Sequence, residues 1–328
     1  MNLEVRDILQ RLPFRVSVTD YCNVRCFFCS NEGMVDEKRG TKHMDRIDFN
    51  YLAEVLVRNG LTNLSMTGGD PTLHPEIEQL VEDTEKLRVP VRFFHTNGIA
   101  LTPPLIKLLS GFSKVAVSIH SGNYETWNKV TRGSREQYHQ LHLNLDNLGN
   151  AQFGEKVEIK HVPMKGINFS REALESTLEL CSKYGFRFKF LNLEPMNEAQ
   201  SRLVVPILDL RKVLVDLGCV EEKADQNFRG QAAYLPITRY RYKNSKGVAI
   251  EIGCGDHKVC KACYDSNEIF VTPDLTIKPC HVSTYSIPLT SIIKERDEKK
   301  ILEAVVNSRR FLMLKKPGEG VATWRVNG

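Results

Sequence analysis

The sequence predicts an α/β fold built on a parallel sheet, either an open doubly wound sheet or a full or partial (β/α) barrel. Two observations carry this. Six apolar, β-prone runs alternate with segments of helical spacing, the pattern of strand-then-helix units with helices covering a parallel sheet. The motifs that look chemical also sit just after those runs, where α/β folds gather their ligands at the carboxyl ends of strands.

The start "MNLEVRDILQRL" reads as a helix within residues 1–13. The strand candidates follow as "FRVSVTD" (14–20), "LTNLSMTGG" (61–69), "VPVRFFHTNG" (89–98), "KVAVSIHS" (114–121), "KVEIKHVPM" (156–164) and "FRFKFLNLEP" (186–195). Between the last two, "REALESTLELCSKYG" places Leu174, Leu178 and Cys181 on one helical face. The expected organisation is an N-terminal helix over 1–13, a core over 14–210 and a C-terminal region over 211–328.

Composition sets the context. The 328 residues are 41% hydrophobic and 26% charged, enough for a large buried core. No run approaches the roughly 20 apolar residues that span a bilayer, and the start lacks a cleavable apolar leader, so a cytoplasmic protein with no membrane partner is expected. In that reducing setting nine cysteines serve metals or catalysis rather than disulfides. The net charge of +5 is scattered rather than tracted, which argues against nucleic acid.

Three cysteines stand together in "DYCNVRCFFCSN". Cys22, Cys26 and Cys29 have the spacing C-x3-C-x2-C, short enough to converge on one inorganic site. A structural zinc wants four protein ligands, whereas three thiolates leave one iron of a cubane iron–sulfur cluster open. Spacing alone leaves cluster, zinc and buried thiols as readings.

"CNVRCFFC" after the first strand, with "TGGDP" ending the second, resembles the radical S-adenosylmethionine (SAM) superfamily. The resemblance implies a partial (β/α)6 TIM-type barrel. It implies that Cys22, Cys26 and Cys29 hold a [4Fe-4S] cluster whose fourth iron binds SAM. One electron then cleaves SAM to a 5′-deoxyadenosyl radical that abstracts hydrogen from substrate. Phe28 falls where an aromatic contacts adenine, Gly68 and Gly69 where backbone approaches the SAM amino group, Asp70 where the superfamily commonly has Glu, and Ser118 where a serine contacts SAM.

Over most of the chain, "FRVSVTDYCNVRC", "MTGGDPTLHPEI", "HTNGIAL", "VSIHSGNYETWNKVTRG" and "VPMKGIN" resemble the GTP 3′,8-cyclase family of molybdenum-cofactor biosynthesis. "VCKACYDSNEIFVTPDLTIKPC" is similar to that family's auxiliary-cluster segment, which implies a second [4Fe-4S] cluster on Cys260, Cys263 and Cys280, with Cys254 a candidate fourth ligand. A zinc knuckle is the alternative that spacing offers. Arg15 and Thr96 match substrate-side positions, and His120 and Glu194 complete the candidates facing substrate.

Cationic positions of the cyclases are replaced here by Ser65, Glu158, Glu268 and Phe270. Because a triphosphate is normally held by Arg and Lys through charge-assisted bonds, another substrate is expected: a nucleoside, sugar or peptide, with GTP cyclisation as the alternative. A reductase or flavodoxin-type protein is the expected electron donor. A zinc-stabilised binding module is the reading of another class.

Overall fold

The computed structural model describes residues 3–29, 42–195, 197–222, 237–250, 268–281, 283 and 285–314. The first half runs α1 (Leu3–Arg11), β1 (Phe14–Ser17), α2 (Arg46–Arg58), β2 (Asn63–Thr67), α3 (Ile77–Lys86), β3 (Val91–Thr96), α4 (Pro103–Leu109), β4 (Lys114–Ser118), α5 (Tyr124–Thr131) and α6 (Arg135–Asn150). It continues through β5 (Val157–His161), α7 (Arg171–Tyr184), β6 (Arg187–Leu191), α8 (Glu198–Ser201), α9 (Ile207–Asp216), β7 (Val220–Glu222), β8 (Ile237–Tyr242) and β9 (Ser245–Ile250). The remaining elements are β10 (Ile269–Val271), β11 (Thr276–Lys278), β12 (Ile287–Pro288), α10 (Thr290–Lys294) and α11 (Glu298–Leu314).

All six expected strands form, each shorter than its apolar run because the chain turns away where the polar motif begins. Neighbouring strands from β1 to β6 pair in parallel and in sequence order. With every crossover right-handed, an order without reversal puts all the helices on one face. The doubly wound alternative, which needs a reversal, is therefore set aside, and the opposite face becomes an interior. The sheet is not closed: β10 adds in parallel to β1 at one side and β9 to β6 at the other. Strands from either side of residue 211 thus share one sheet.

The helical face is apolar by alternation. Val115, Val117, Ile159, Phe188 and Phe190 pack in one core with Leu141 and Leu145 of α6 and Leu174 and Leu178 of α7. Helix α7 starts at Ser170, whose hydroxyl accepts from the Ala173 amide, and stops at Gly185 in the left-handed conformation (φ 68°), where a residue without Cβ is favoured. The buried Cys181 belongs to this packing, and burial pushes its thiol far up. Burial likewise raises the Cys219 thiol to about 12.

The inner face is polar and strongly curved. Lys160 on β5 reaches His95 on β3 across the intervening strand, Nζ to Nδ1 2.7 Å. His281, beyond β11, lies 3.4 Å from Glu194, beyond β6, so the two margins of the six-stranded sheet approach each other at the mouth. Among the described residues no helix is long and apolar enough to cross a membrane.

Candidate functional site

The cysteine loop leaves β1 and lies against the end of β2. The Gly69 amide donates to the Thr19 carbonyl at 2.8 Å and the Asp70 amide to the Tyr21 carbonyl at 2.7 Å. A Cβ on Gly68 would collide with the Thr19 carbonyl, and one on Gly69 with the Tyr21 carbonyl. The glycine pair is thus required by backbone-to-backbone docking of this loop, a demand independent of any ligand. From the other side the Arg25 amide donates to Thr131 (2.9 Å) and the Phe27 amide to Val130 (3.3 Å), fastening the loop to α5.

Cys22 and Cys26 are half-buried and Cys29 is exposed; none is in a disulfide. Burial, followed by the Asp70 carboxylate, pushes the Cys22 thiol up to about 11, with Cys29 adding to the same effect. Asn97 Nδ2 donates toward Cys22 Sγ at 3.7 Å and to Asn23 Oδ1 at 2.7 Å.

Among the described residues no three His, Cys, Asp or Glu side chains converge tightly enough for a single metal ion. A structural zinc takes four protein ligands on one ion, whereas a cubane takes each thiolate on its own iron and needs only three from the chain. Three cysteines outside any disulfide on one loop, with an amide donor beside the first and Cys29 within electrostatic reach of Cys22, fit an iron–sulfur cluster.

Asp70 sits deep behind this loop. Its carboxylate accepts from the Thr72 amide (3.0 Å) and hydroxyl (2.6 Å), from the Thr96 hydroxyl (2.9 Å) and from the Asn97 amide (2.6 Å). Burial raises its pKa against the pull of these donors. Thr96, expected to face substrate, is buried, spends its hydroxyl proton on Asp70 and accepts from the Gly98 amide at 2.9 Å. Together these bonds orient Asn97 toward Cys22.

Phe28 meets His120 edge to face, centroids 5.0 Å apart. His120, also expected to face substrate, is buried with φ 64°. Its Nδ1 accepts from the Val162 amide (3.2 Å) and its carbonyl from Asn168 Nδ2 (3.0 Å). Burial, then the Lys160 charge, depresses its pKa to about 3, so the ring is neutral. Ser118 ends β4 opposite Lys160 in register.

Below the mouth the interior carries a charge cluster that single-position reasoning from the sequence missed. Arg15 pairs with Glu268 at 2.8 Å and donates to the Thr67 hydroxyl at 3.3 Å. Glu158 pairs with Lys114 at 3.1 Å. Burial alone would raise Glu158, but Lys189, Lys114 and Lys160 outweigh it and hold the carboxyl at about 2. Lys160 is pushed down to about 7 by burial and then by the Lys189 and Arg15 charges. Burial and the same lysine keep His95 well below its ordinary range.

The glutamates that replace cyclase cations are therefore each matched by a cation of this chain. The signal was present in the sequence: "EIKH" and "FKF" place Lys160 and Lys189 at alternate positions within apolar strands. Phe270 is buried beside Arg15 in register.

At the mouth Glu194 faces His281, and the neighbouring Cys280 is buried. Cys254, Cys260 and Cys263 lie outside the described residues.

Residues 16–186 match the model of the Radical SAM superfamily. A protein of Pyrobaculum aerophilum named probable GTP 3′,8-cyclase is 26% identical over 303 residues, covering 90% of this chain and 92% of the relative. The GTP 3′,8-cyclase of Clostridium acetobutylicum is 27% identical, covering 86% and 85%. Among solved structures, Streptococcus suis SuiB bound to S-adenosylmethionine is similar in fold, with a TM-score of 0.63 at 13% identity over 89% of this chain and 65% of SuiB. SuiB bound to the precursor peptide SuiA gives 0.64 at 14% identity over 93% and 68%. With the superfamily match covering more than half of its length and the cysteine loop, glycine pair and parallel half-barrel arranged as described, the chain belongs to the radical SAM superfamily and is a radical SAM enzyme.

Proposed function

We propose that this enzyme abstracts hydrogen from a small substrate, a nucleoside, sugar or peptide, held inside the barrel below the cysteine loop. The observation that carries the reading is the loop bearing Cys22, Cys26 and Cys29, docked on the glycine pair at the carboxyl end of an inward-polar parallel half-barrel. Bound there, a [4Fe-4S] cluster and SAM supply a 5′-deoxyadenosyl radical. The chain's residues do the rest. Cys22, Cys26 and Cys29 would hold the cluster as thiolates, so their thiols must lose their protons on binding it. Asp70 and Thr96 fix Asn97 beside Cys22, and Phe28, braced by His120, offers an aromatic face to adenine. Ser118 and the backbone of Gly68 and Gly69 are the remaining SAM-side groups, and Arg15 and Glu194 line the path to the interior.

A second cluster on Cys260, Cys263 and Cys280, with Cys254 as a further ligand, belongs to the same proposal, as do the division at residues 13 and 210, a cytoplasmic location and a reductase or flavodoxin-type electron donor. A second reading, GTP 3′,8-cyclisation, is favoured by similarity to cyclases over about nine tenths of the chain. Anaerobic reconstitution followed by dithionite and SAM tests both readings. Iron incorporation with release of 5′-deoxyadenosine is expected, and colourless zinc protein would overturn the enzyme reading in this form. Conversion of GTP to the 3′,8-cyclised product would establish the second reading over the first.

A further inference from the structure

We propose that Lys160 and Lys189, with Ser65 opposite, form a binding site inside the barrel for an oxyanion of the substrate, a carboxylate or phosphate group. This rests on the radical SAM reading for the identity of the bound molecule, but the site stands on its own geometry.

Lys160 and Lys189 are register partners on β5 and β6. Among the described residues neither has a carboxylate within ion-pair distance; the contact of Lys160 is to His95 Nδ1 at 2.7 Å. His95 is neutral, so it accepts from the ammonium without cancelling its charge. The two carboxylates nearby are each bonded to another cation, Glu158 to Lys114 and Glu268 to Arg15. Arg187 shares the same face at the foot of β6, beside Glu158 in register.

Across the interior, Ser65 on β2 is register partner to Arg15 on β1. Its Oγ is fully buried and has no hydrogen-bond partner among the described residues. Buried polar groups are nearly always satisfied, and the one Glu158 carboxylate, which bonds Lys114 while also feeling Lys160 and Lys189, leaves these two adjacent desolvated ammonium groups only partly compensated. A single oxyanion meets both demands, accepting from the lysines and from the serine hydroxyl. Arg15 and Lys114 are each taken by a carboxylate, so the positive charge left for a ligand sits mainly on the adjacent Lys160 and Lys189, a compact pair that suits a single oxyanion.

The test uses inorganic sulfate and succinate, titrated calorimetrically into the reconstituted protein without SAM; both keep a constant charge from pH 6.5 to 8.5, and one is tetrahedral and the other planar. Lys189→Met and Lys160→Met should weaken binding at least tenfold. Glu158→Gln should tighten it severalfold, a gain that misfolding cannot imitate. Because Lys160 loses its proton near 7, within a field set by Lys189, Arg15, Lys114, His95, Glu158 and Glu268, affinity should fall as pH rises above that value.

The preferred probe tells phosphate from carboxylate. Absence of binding to the wild-type protein, or equal binding by the lysine variants, overturns the inference. Failure to release 5′-deoxyadenosine would instead count against the enzyme reading and leave the anion site intact.

Discussion

Glu158→Gln offers a stringent check on the barrel interior. The carboxyl is held at about 2 rather than its ordinary 4.5, and its side chain is only 7% exposed, so solvent screens it little. At about 1.4 kcal/mol per pH unit, the charged form is favoured by about 3 kcal/mol relative to the unfolded chain. The amide keeps the shape and one acceptor but removes the charge, leaving Lys114, Lys160 and Lys189 to repel. Urea denaturation of the anaerobic apoprotein at pH 7 should therefore show Glu158→Gln less stable by about 3 kcal/mol.

The sign with pH is set by the depressed carboxyl. Its contribution is fully present above 4.5 and is lost as pH falls toward 2, so the gap between wild type and variant should close over that interval. Equal stabilities at pH 7, or a gap that persists at acid pH, would refute the picture of a carboxylate held charged by three lysines.

Three further outcomes follow from the site. Gly69→Ala drives a Cβ into the Tyr21 carbonyl and should cut reconstituted iron to a small fraction of wild type; normal iron content would show that the loop docks differently. Asn97→Leu deletes the donor 3.7 Å from Cys22 Sγ; since hydrogen bonds to sulfur raise a cluster's potential, electrochemistry should find it more negative by tens of millivolts, and an unchanged potential would remove Asn97 from that role. Phe28→Ala removes the aromatic face braced by His120 and should weaken equilibrium SAM binding about tenfold, on the order of 1.4 kcal/mol, whereas unaltered affinity would place adenine elsewhere.

Local order was legible because it is written in short-range patterns. The six apolar runs became β1 to β6, "REALESTLELCSKYG" became a helix ending at Gly185, and the tight cysteine spacing marked one loop. Strand order alone then chose the half-barrel over the doubly wound sheet, since no reversal occurs. The glycine pair was read as room for SAM, and its docking against Thr19 and Tyr21 emerged only once β2 lay beside the cysteine loop.

The electrostatics were less legible. Taken singly, Glu158 and Glu268 looked like losses of positive charge, because nothing in their neighbouring residues says which cation will face them. Glu158 meets Lys114 from 44 positions away and Glu268 meets Arg15 from 253. Thr96 and His120, read as facing substrate, are occupied by Asp70 and by the Val162 amide, again through contacts distant in sequence. Residue types and their alternation determine which side chains enter the barrel; strand register and curvature determine which of them touch. In a low-dielectric interior, where the strength and sign of a charge interaction depend on distances of a few ångströms, that second decision belongs to the tertiary structure.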